Sequence, residues 1–463
     1  MNIVLDTNIV LLDHTNILTL GKDNTIVLPE TTIAELDNFK TNMGELGYQA
    51  RAFARLISNA DIGDIQEASA VIDGRHIKYT VANLKVEGVN VQLVSTTDYP
   101  SLGSDSPGMH NDRKIIFIAQ LYASSAPTKF MTNDVNCGFQ ARAKGLTVTD
   151  LKEVDQTTFD FTKTLEVPPG IFPLLHNKEI SEVDANYSYE NFNYIFKSQD
   201  TDQTKIGTIN NGIIDIVGKT TEKELRDQHV NPIGVEQLLL SKAMRHPEID
   251  LVLCEARAGT GKTLIALSNA MKLVKGNNSY NNIIYVRASI DDVEKAEEVG
   301  FLSGNDEKFA VYFHPLTDAL EHIVRSKLVK KNLKGDQLET AVINGIDEAK
   351  LKYNITTMTG LGMRGRTITN SIIIIDEVQG QSKASLQKML TRVGKDCKVV
   401  VIGSQKQIDN NYVTKYNNGF SVLLNETTKP QNLIRMHAIS LSKVVRSPMA
   451  DWSELIFTKD NNE

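Results

Sequence analysis

The sequence predicts an α/β protein in three parts, and three observations carry that prediction. Short apolar runs alternate with segments of helical spacing at both ends of the chain. One run, residues 251–254, opens the stretch LVLCEARAGTGKTLI, which reads as strand, small-residue loop and helix. Between the two ends lies a stretch rich in Pro, aromatics and a hairpin signal. The boundaries follow. Residues 1–150 form an α/β unit with a parallel sheet covered by helices on both faces, 151–225 a small β-rich connector, and 226–463 a parallel-sheet unit around the loop.

The N-terminal unit reads in order. Residues 2–5 and 26–28 are strands, and a helix begins near Thr31. Residues 49–57 continue helical, 77–79 and 91–94 are strands flanking a Gly-containing turn, and 98–108 form a Pro/Ser/Gly loop. Residues 112–122 are helical, and 129–131 are a strand running into Thr132, Asn133 and Asp134. Four acids fall at element ends: Asp6, Glu35, Asp112 and Asp134. In a parallel sheet, strand ends and helix starts share one edge, so these acids can meet. Converging carboxylates repel unless a cation neutralises them, and hard oxygen ligands suit Mg²⁺ or Mn²⁺. Such a site activates water for phosphodiester hydrolysis. Spacing alone leaves the plainer reading open: Asp6 and Asp112 as caps, Glu35 as surface.

The connector is broken by Pro168, Pro169 and Pro173 and carries its aromatics in 187–196. Residues 206–217 alternate around Asn210-Asn211-Gly212, a hairpin signal. We expect loose packing, with the aromatics either stacking bases or packing on a neighbouring domain.

In the third unit, Ala258, Gly259, Thr260, Gly261, Lys262 and Thr263 have the composition of a phosphate-binding loop. Backbone N–H groups wrap the anion, Lys262 reaches the β- and γ-phosphates, and the Thr263 hydroxyl ligates Mg²⁺. Ala256 stands at the pattern's first glycine. Residues 371–375, four of them Ile, read as a strand buried on both faces, ending in Asp376-Glu377. Asp376 is expected to hold Mg²⁺ through water and Glu377 to orient the attacking water. Another strand, 398–402, leads to a polar stretch where Gln405 is the expected sensor of the γ-phosphate.

Bulk properties narrow the partners. The 463 residues carry a net charge of −7, so nucleic acid must be met by local patches. Arg325, Lys327, Lys330, Lys331 and Lys334 are the densest basic run: a solvated helix face, or a contact to phosphates. Three scattered cysteines suit a reducing cytoplasm. No apolar stretch approaches membrane-spanning length, and the N-terminus lacks the basic start of a signal peptide.

Motif order adds a resemblance. VLDTNIVLLD, IAELDNF, HNDRKIIFIA and MTNDVNCGFQARAKGL resemble a PIN domain, a doubly wound fold of metal-dependent nucleases. The resemblance implies that Asp6, Glu35, Asp112 and Asp134 are its acidic quartet, with Asn8 and Thr132 as polar neighbours. AGTGKT, VRAS, GFLSG with Glu307-Lys308, MRGRT, IIIIDEVQ, GSQKQID and KVVRSP resemble PhoH-like ATPases, with a RecA-like P-loop fold. Together they resemble a PIN–PhoH fusion. That implies ATP with Mg²⁺ as cofactors, adenine recognition at Gln237, RNA unwinding coupled to cutting of single-stranded RNA (DNA being a possible substitute), and a homo-oligomer, expected as a ring-shaped hexamer. Arg364, Arg366 and Arg446 are candidates for stabilising transferred phosphate, or surface ion-pair partners; Arg287 suits nucleic acid better. The rival reading is an ATP-regulated binding or assembly protein whose quartet is structural.

Overall fold

Strand β1 (Asn2–Leu5) has its side chains buried on both faces of a sheet, which the apolar run of the sequence requires. Val4 joins one core, with Val27 and Phe130; Ile3 and Leu5 join the other, with Ile26 and Leu28. The structure is a computed structural model. It describes residues 1–42, 45–99, 107–151, 159, 161–226, 229–276, 280–288, 313–328, 333–363, 365–405, 407–408, 418–430 and 433–457. The chain divides into two compact units, Met1–Thr157 and Thr158–Glu463.

In the first unit, β1 is followed by β2 (Thr25–Pro29), β3 (Asp61–Ile72), β4 (Arg75–Val86), β5 (Val89–Ser95), β6 (Thr128–Met131) and β7 (Thr147–Thr149). They form one sheet in the order β3-β4-β5-β2-β1-β6-β7. Strands β5, β2, β1, β6 and β7 are parallel, as the alternation of elements predicts. The edge made by β3, β4 and β5 is antiparallel. Sequence reading missed β3: it lies at the sheet edge, almost wholly exposed, and therefore lacks a clear in/out alternation. Asp73 and Gly74, both at positive φ, turn the chain from β3 into β4. The expected 98–108 loop lies mostly outside the described residues; from Pro107 the chain is already helical, in Pro107–Ala123.

The second unit opens with a four-stranded sheet: β8 (Thr162–Val167), β9 (Asn193–Ser198), β10 (Thr204–Asn210) and β11 (Ile213–Ile216), ordered β11-β10-β9-β8. The two-residue turn Asn211-Gly212 joins β10 to β11, both at positive φ, as expected of Asn-Gly. Loose packing does not hold. Tyr194 and Phe196 stack in a core with Val167, Phe172 and Ile209, while Phe161 and Phe192 enter the core beneath the larger sheet. Asn193 ties the two sheets: its Nδ2 donates to Ala438 O at 2.9 Å, and its Oδ1 pairs with His437 Nε2 at 2.9 Å.

The larger sheet contains β12 (Leu251–Ala256), β13 (Asn282–Arg287), β14 (Ile355–Thr359), β15 (Ser371–Asp376), β16 (Lys398–Gly403) and β17 (Met436–Leu441). All its pairings are parallel, in the order β14-β13-β15-β16-β12-β17. Ile372 and Ile374 face one core and Ile373 and Ile375 the other, which is why that strand reads as an unbroken apolar run. Only β16 separates β12 from β15, so whatever follows those two strands meets at one carboxyl edge. Among the described residues no helix is long and apolar enough to cross a membrane.

Candidate functional site

The phosphate loop lies between β12 and the helix Lys262–Gly276. Gly259 and Gly261 adopt φ of 73° and 79°, the left-handed conformation that turns backbone N–H groups inward. A Cβ on Gly261 would stand 3.0 Å from Gln237 Nε2, so the loop and the helix Gly234–Arg245 meet without room for a side chain. Gln237 is buried and braces the loop: its Nε2 donates to Thr260 O at 2.7 Å and its Oε1 accepts from Ile233 N at 2.7 Å. The Thr260 hydroxyl donates to Arg257 O at 2.9 Å. On the other side, Val445 N and Arg446 N donate to Gly259 O at 2.9 and 3.1 Å. Ala256 is a buried strand residue paired with Leu441, and it has no positive φ. Nothing at that position requires glycine.

The acids at the carboxyl end of β15 face the loop. Thr263 Oγ1 donates to Asp376 Oδ2 at 2.8 Å, and so does Tyr285 OH from β13, also at 2.8 Å. Lys262 Nζ lies 3.0 Å from Glu377 Oε1, and Gln379 Nε2 donates to Glu377 Oε2 at 2.6 Å. Burial works against both charges of this pair, but each stabilises the other. Lys262 is held above its ordinary value by Glu377 and Asp376. Glu377 is held below its own by Lys262, Gln379 and Arg287. Glu377 adopts a left-handed backbone, φ 60° and ψ 48°, an arrangement costly for a residue with a Cβ and typical of functional positions. Gln379 passes the link on, accepting at its Oε1 from Ser404 N at 3.2 Å beyond β16.

These groups border a cavity of about 530 Å³, lined among others by Gln237, Ala258, Gly259, Gly261, Lys262, Thr263, Asp376 and Glu377. Arg446 lines it too; Arg366 is exposed and does not. Arg287, expected to favour nucleic acid, lines this cavity instead. Gln405 is turned away: its Nε2 donates to Ser421 Oγ at 3.0 Å, and Gln407 supplies the lining residue of that stretch. Arg364, Lys330, Lys331, Glu307 and Lys308 lie outside the described residues. Arg325 is paired with Glu321 and Glu339 at 2.6 and 2.7 Å, as on a solvated face.

In the first unit the parallel register of β1 and β6 brings Asp6 beside Thr132. Asp6 accepts from Thr7 N at 2.6 Å, Asn8 Nδ2 at 2.7 Å and Thr132 Oγ1 at 2.5 Å. Glu35 accepts from Thr7 Oγ1 and from Asn111 Nδ2, the latter at 2.8 Å. Asn111 was not singled out from sequence, although it precedes Asp112 in the HNDRK stretch. Asp134 caps the helix Val135–Ala143, accepting from Asn136 N and Cys137 N at 2.7 and 2.9 Å. Burial first, then Asp112 and Glu35, push Asp6 up to about 6. Asp112 is raised by burial and by Asp134 and Glu35. The four acids therefore share one field. Among the described residues, however, no three His, Cys, Asp or Glu side chains are disposed to hold a metal ion. Their chemistry fits a hard divalent cation, which would relieve the mutual repulsion. Asp6 is also the N-cap of the short helix Thr7–Leu12, whereas Glu35 and Asp112 lie within the helices Glu30–Phe39 and Pro107–Ala123 and cap neither.

Comparison with known proteins bears on both sites. Residues 3–152 match the PIN domain family, and residues 229–458 match the family described as PhoH-like protein. The chain is a PIN–PhoH fusion. Protein PhoH2 of Bacillus subtilis (strain 168) is 26% identical over 467 residues, spanning 96% of this chain and 97% of that protein. Protein PhoH2 of Thermobispora bispora is 23% identical, spanning 96% and 94%. A PhoH-like protein of Bacillus subtilis is 35% identical over 202 residues, 43% of this chain and 56% of its own. The PIN–PhoH fusion thus pairs a nuclease-like domain with a domain of the PhoH-like ATPase family.

Proposed function

We propose that this protein hydrolyses ATP in its PhoH domain to move or open single-stranded RNA, and that its PIN domain cuts the strand. One observation carries the ATPase half: Lys262 and Thr263, which follow β12, and Asp376 and Glu377, at the end of β15, border one cavity although β16 separates the two strands. Loop N–H groups and Lys262 would bind the phosphates, and Glu377 would orient water. Thr263 and Asp376 would hold Mg²⁺, which neutralises phosphate charge when bound. Among the described residues Arg287 and Arg446 are the arginines that line the cavity for that same charge, and Arg366 is left for a neighbouring copy in a ring-shaped hexamer.

In the PIN domain Asp6, Glu35 and Asp112, with Asp134, would hold Mg²⁺ or Mn²⁺, whose role when bound is to activate water. Asn8, Thr132 and Asn111 orient those carboxylates. The free thiols Cys137, Cys254 and Cys397 support a cytoplasmic setting.

A second reading has its own observation. Asp134 is engaged as a helix cap, and the acids do not form a ready metal cage among the described residues. That favours an ATP-regulated binding or assembly protein with a non-cutting PIN domain. The test measures ATP turnover with and without single-stranded RNA or DNA, beside cleavage of a labelled strand in Mg²⁺ or Mn²⁺. We expect strand-stimulated turnover, and cleavage that Asp6→Asn abolishes while ATP turnover persists. Cleavage surviving Asp6→Asn, or none in wild type, returns the protein to the second reading.

A further inference from the structure

The helix Val135–Ala143 is apolar on the wrong side as well as the right one. Its inner face buries Cys137, Gly138 and Ala141, enough to seat it on the sheet. Its outer face nevertheless carries Val135 at 62% exposure and Phe139 at 61%. Single exposed apolar residues are ordinary, but these two are one turn apart on one stripe. The stripe continues to Arg142, whose guanidinium carbon stands 5.9 Å from the centre of the Phe139 ring. Lys144 follows, also exposed. The stripe begins next to Asp134, whose field reaches Asp112.

We infer that Val135, Phe139 and Arg142 form a platform on which single-stranded nucleic acid stacks one base, with Arg142 on the adjoining phosphate. The inference rests on the reading that this domain cuts a strand, and it supplies what the acids lack. A carboxylate cluster repels a phosphate backbone, so a strand must be gripped beside it rather than by it. An exposed phenyl ring stacks any base, because every base has a π-face, and the guanidinium adds a contact to phosphate. Charge complementarity selects nucleic acid as the occupant: the stripe ends in two cations, and the cleavage chemistry proposed for the neighbouring acids acts on phosphodiesters. Phe139 follows the capping Asp134 by five residues, about 7.5 Å along the helix axis.

The chain has a single tryptophan, Trp452, which permits a local probe. In the full-length protein, Trp452→Phe combined with Phe139→Trp puts the sole indole on the platform. Titrating it with a single-stranded ribo- or deoxyribo-oligonucleotide in EDTA, where no cutting occurs, should quench its fluorescence saturably. Quenching by both strands identifies a platform indifferent to the sugar; quenching by RNA alone identifies one that also senses the 2′-hydroxyl. In the metal-loaded wild-type background, Phe139→Ala and Phe139→Leu should each raise KM for cleavage about 10-fold, the effect of losing one base stack. Arg142→Gln should flatten the salt dependence of binding by about one unit. No quenching with either strand overturns the platform, as does cleavage with unchanged KM in both Phe139 variants. Self-association abolished by Phe139→Ala, without quenching, would assign the stripe to a second copy and also overturn it. Quenching in a protein that never cuts keeps the platform and removes only the nuclease reading.

Discussion

Replacing Glu377 by Gln should separate ATP binding from ATP turnover, in opposite directions. The Lys262 ammonium is held by the Glu377 carboxylate at 3.0 Å, with the two side chains only 12% and 26% exposed. An arriving nucleotide must take that ammonium from the carboxylate. A hydrogen bond to a charged group is worth roughly 1.5–3 kcal/mol net, and a neutral amide in its place keeps about 1 kcal/mol. The variant therefore removes about 0.5–2 kcal/mol of competition, which predicts ATP binding about 2- to 30-fold tighter. Turnover should fall by at least ~10²-fold, because the amide cannot orient or accept a proton from water as the carboxylate does. Equilibrium binding of a fluorescent ATP analogue gives the first number and steady-state phosphate release the second. Lys262→Ala is the contrast, losing binding and turnover together. Binding unchanged or weaker in Glu377→Gln would refute the competition argument, and near-wild-type turnover would remove Glu377 from the chemistry.

Two further outcomes follow from burial and backbone conformation. Burial, with His246 and Lys242 nearby, depresses His437 to about 3, while the unfolded chain takes a proton near 6.5. Between those values the unfolded state binds the extra proton, so stability falls as pH drops below 6.5, by at most ~1.4 kcal/mol per unit for this group. His229, depressed to about 4, acts in the same direction. Urea melts at pH 6.5 and 5.0 should show a shallower loss in His437→Gln than in wild type; equal losses would mean that His437 titrates alike in both states. Restoring the loop consensus with Ala256→Gly should cost about 0.5–1 kcal/mol of stability, as a glycine in a strand interior does. It should leave the KM for ATP unchanged, and a lower KM would show that the loop entrance does need glycine.

What was legible in the sequence was whatever the chain states locally. β12, β15 and β16 are buried on both faces, so each is an unbroken apolar run bounded by polar residues. Asn211-Gly212 names its own turn, and Gly259-Thr260-Gly261-Lys262 its own anion site. β3 was not legible because an exposed edge strand has no inside to mark. The close packing of residues 161–226 on the larger sheet was legible only in part: the aromatics of 187–196 pointed to packing on a neighbouring domain, but the contacts themselves depend on Asn193 finding Ala438 and His437 across 245 and 244 residues.

The site followed the same division. Lys262, Thr263, Asp376 and Glu377 belong to motifs whose letters carry their chemistry. Tyr285 does not, and Arg287, although part of VRAS, was assigned to nucleic acid rather than to this cavity, because the roles of both come from register. β13 pairs with β15 so that Tyr285 stands opposite Ile374 and Arg287 opposite Asp376. Tyr285 then shares the face of Asp376, two residues along, and its hydroxyl meets Oδ2. A strand adjacent to the acid-bearing strand must therefore contribute to the site whatever its own sequence says. In this chain that neighbour supplies a donor to hold Asp376 and a cation that stabilises the charge on Glu377. The left-handed backbone of Glu377 completes the logic: it turns the chain out of β15 immediately after Asp376, and in this position Glu377 meets Lys262 while Asp376 meets Thr263.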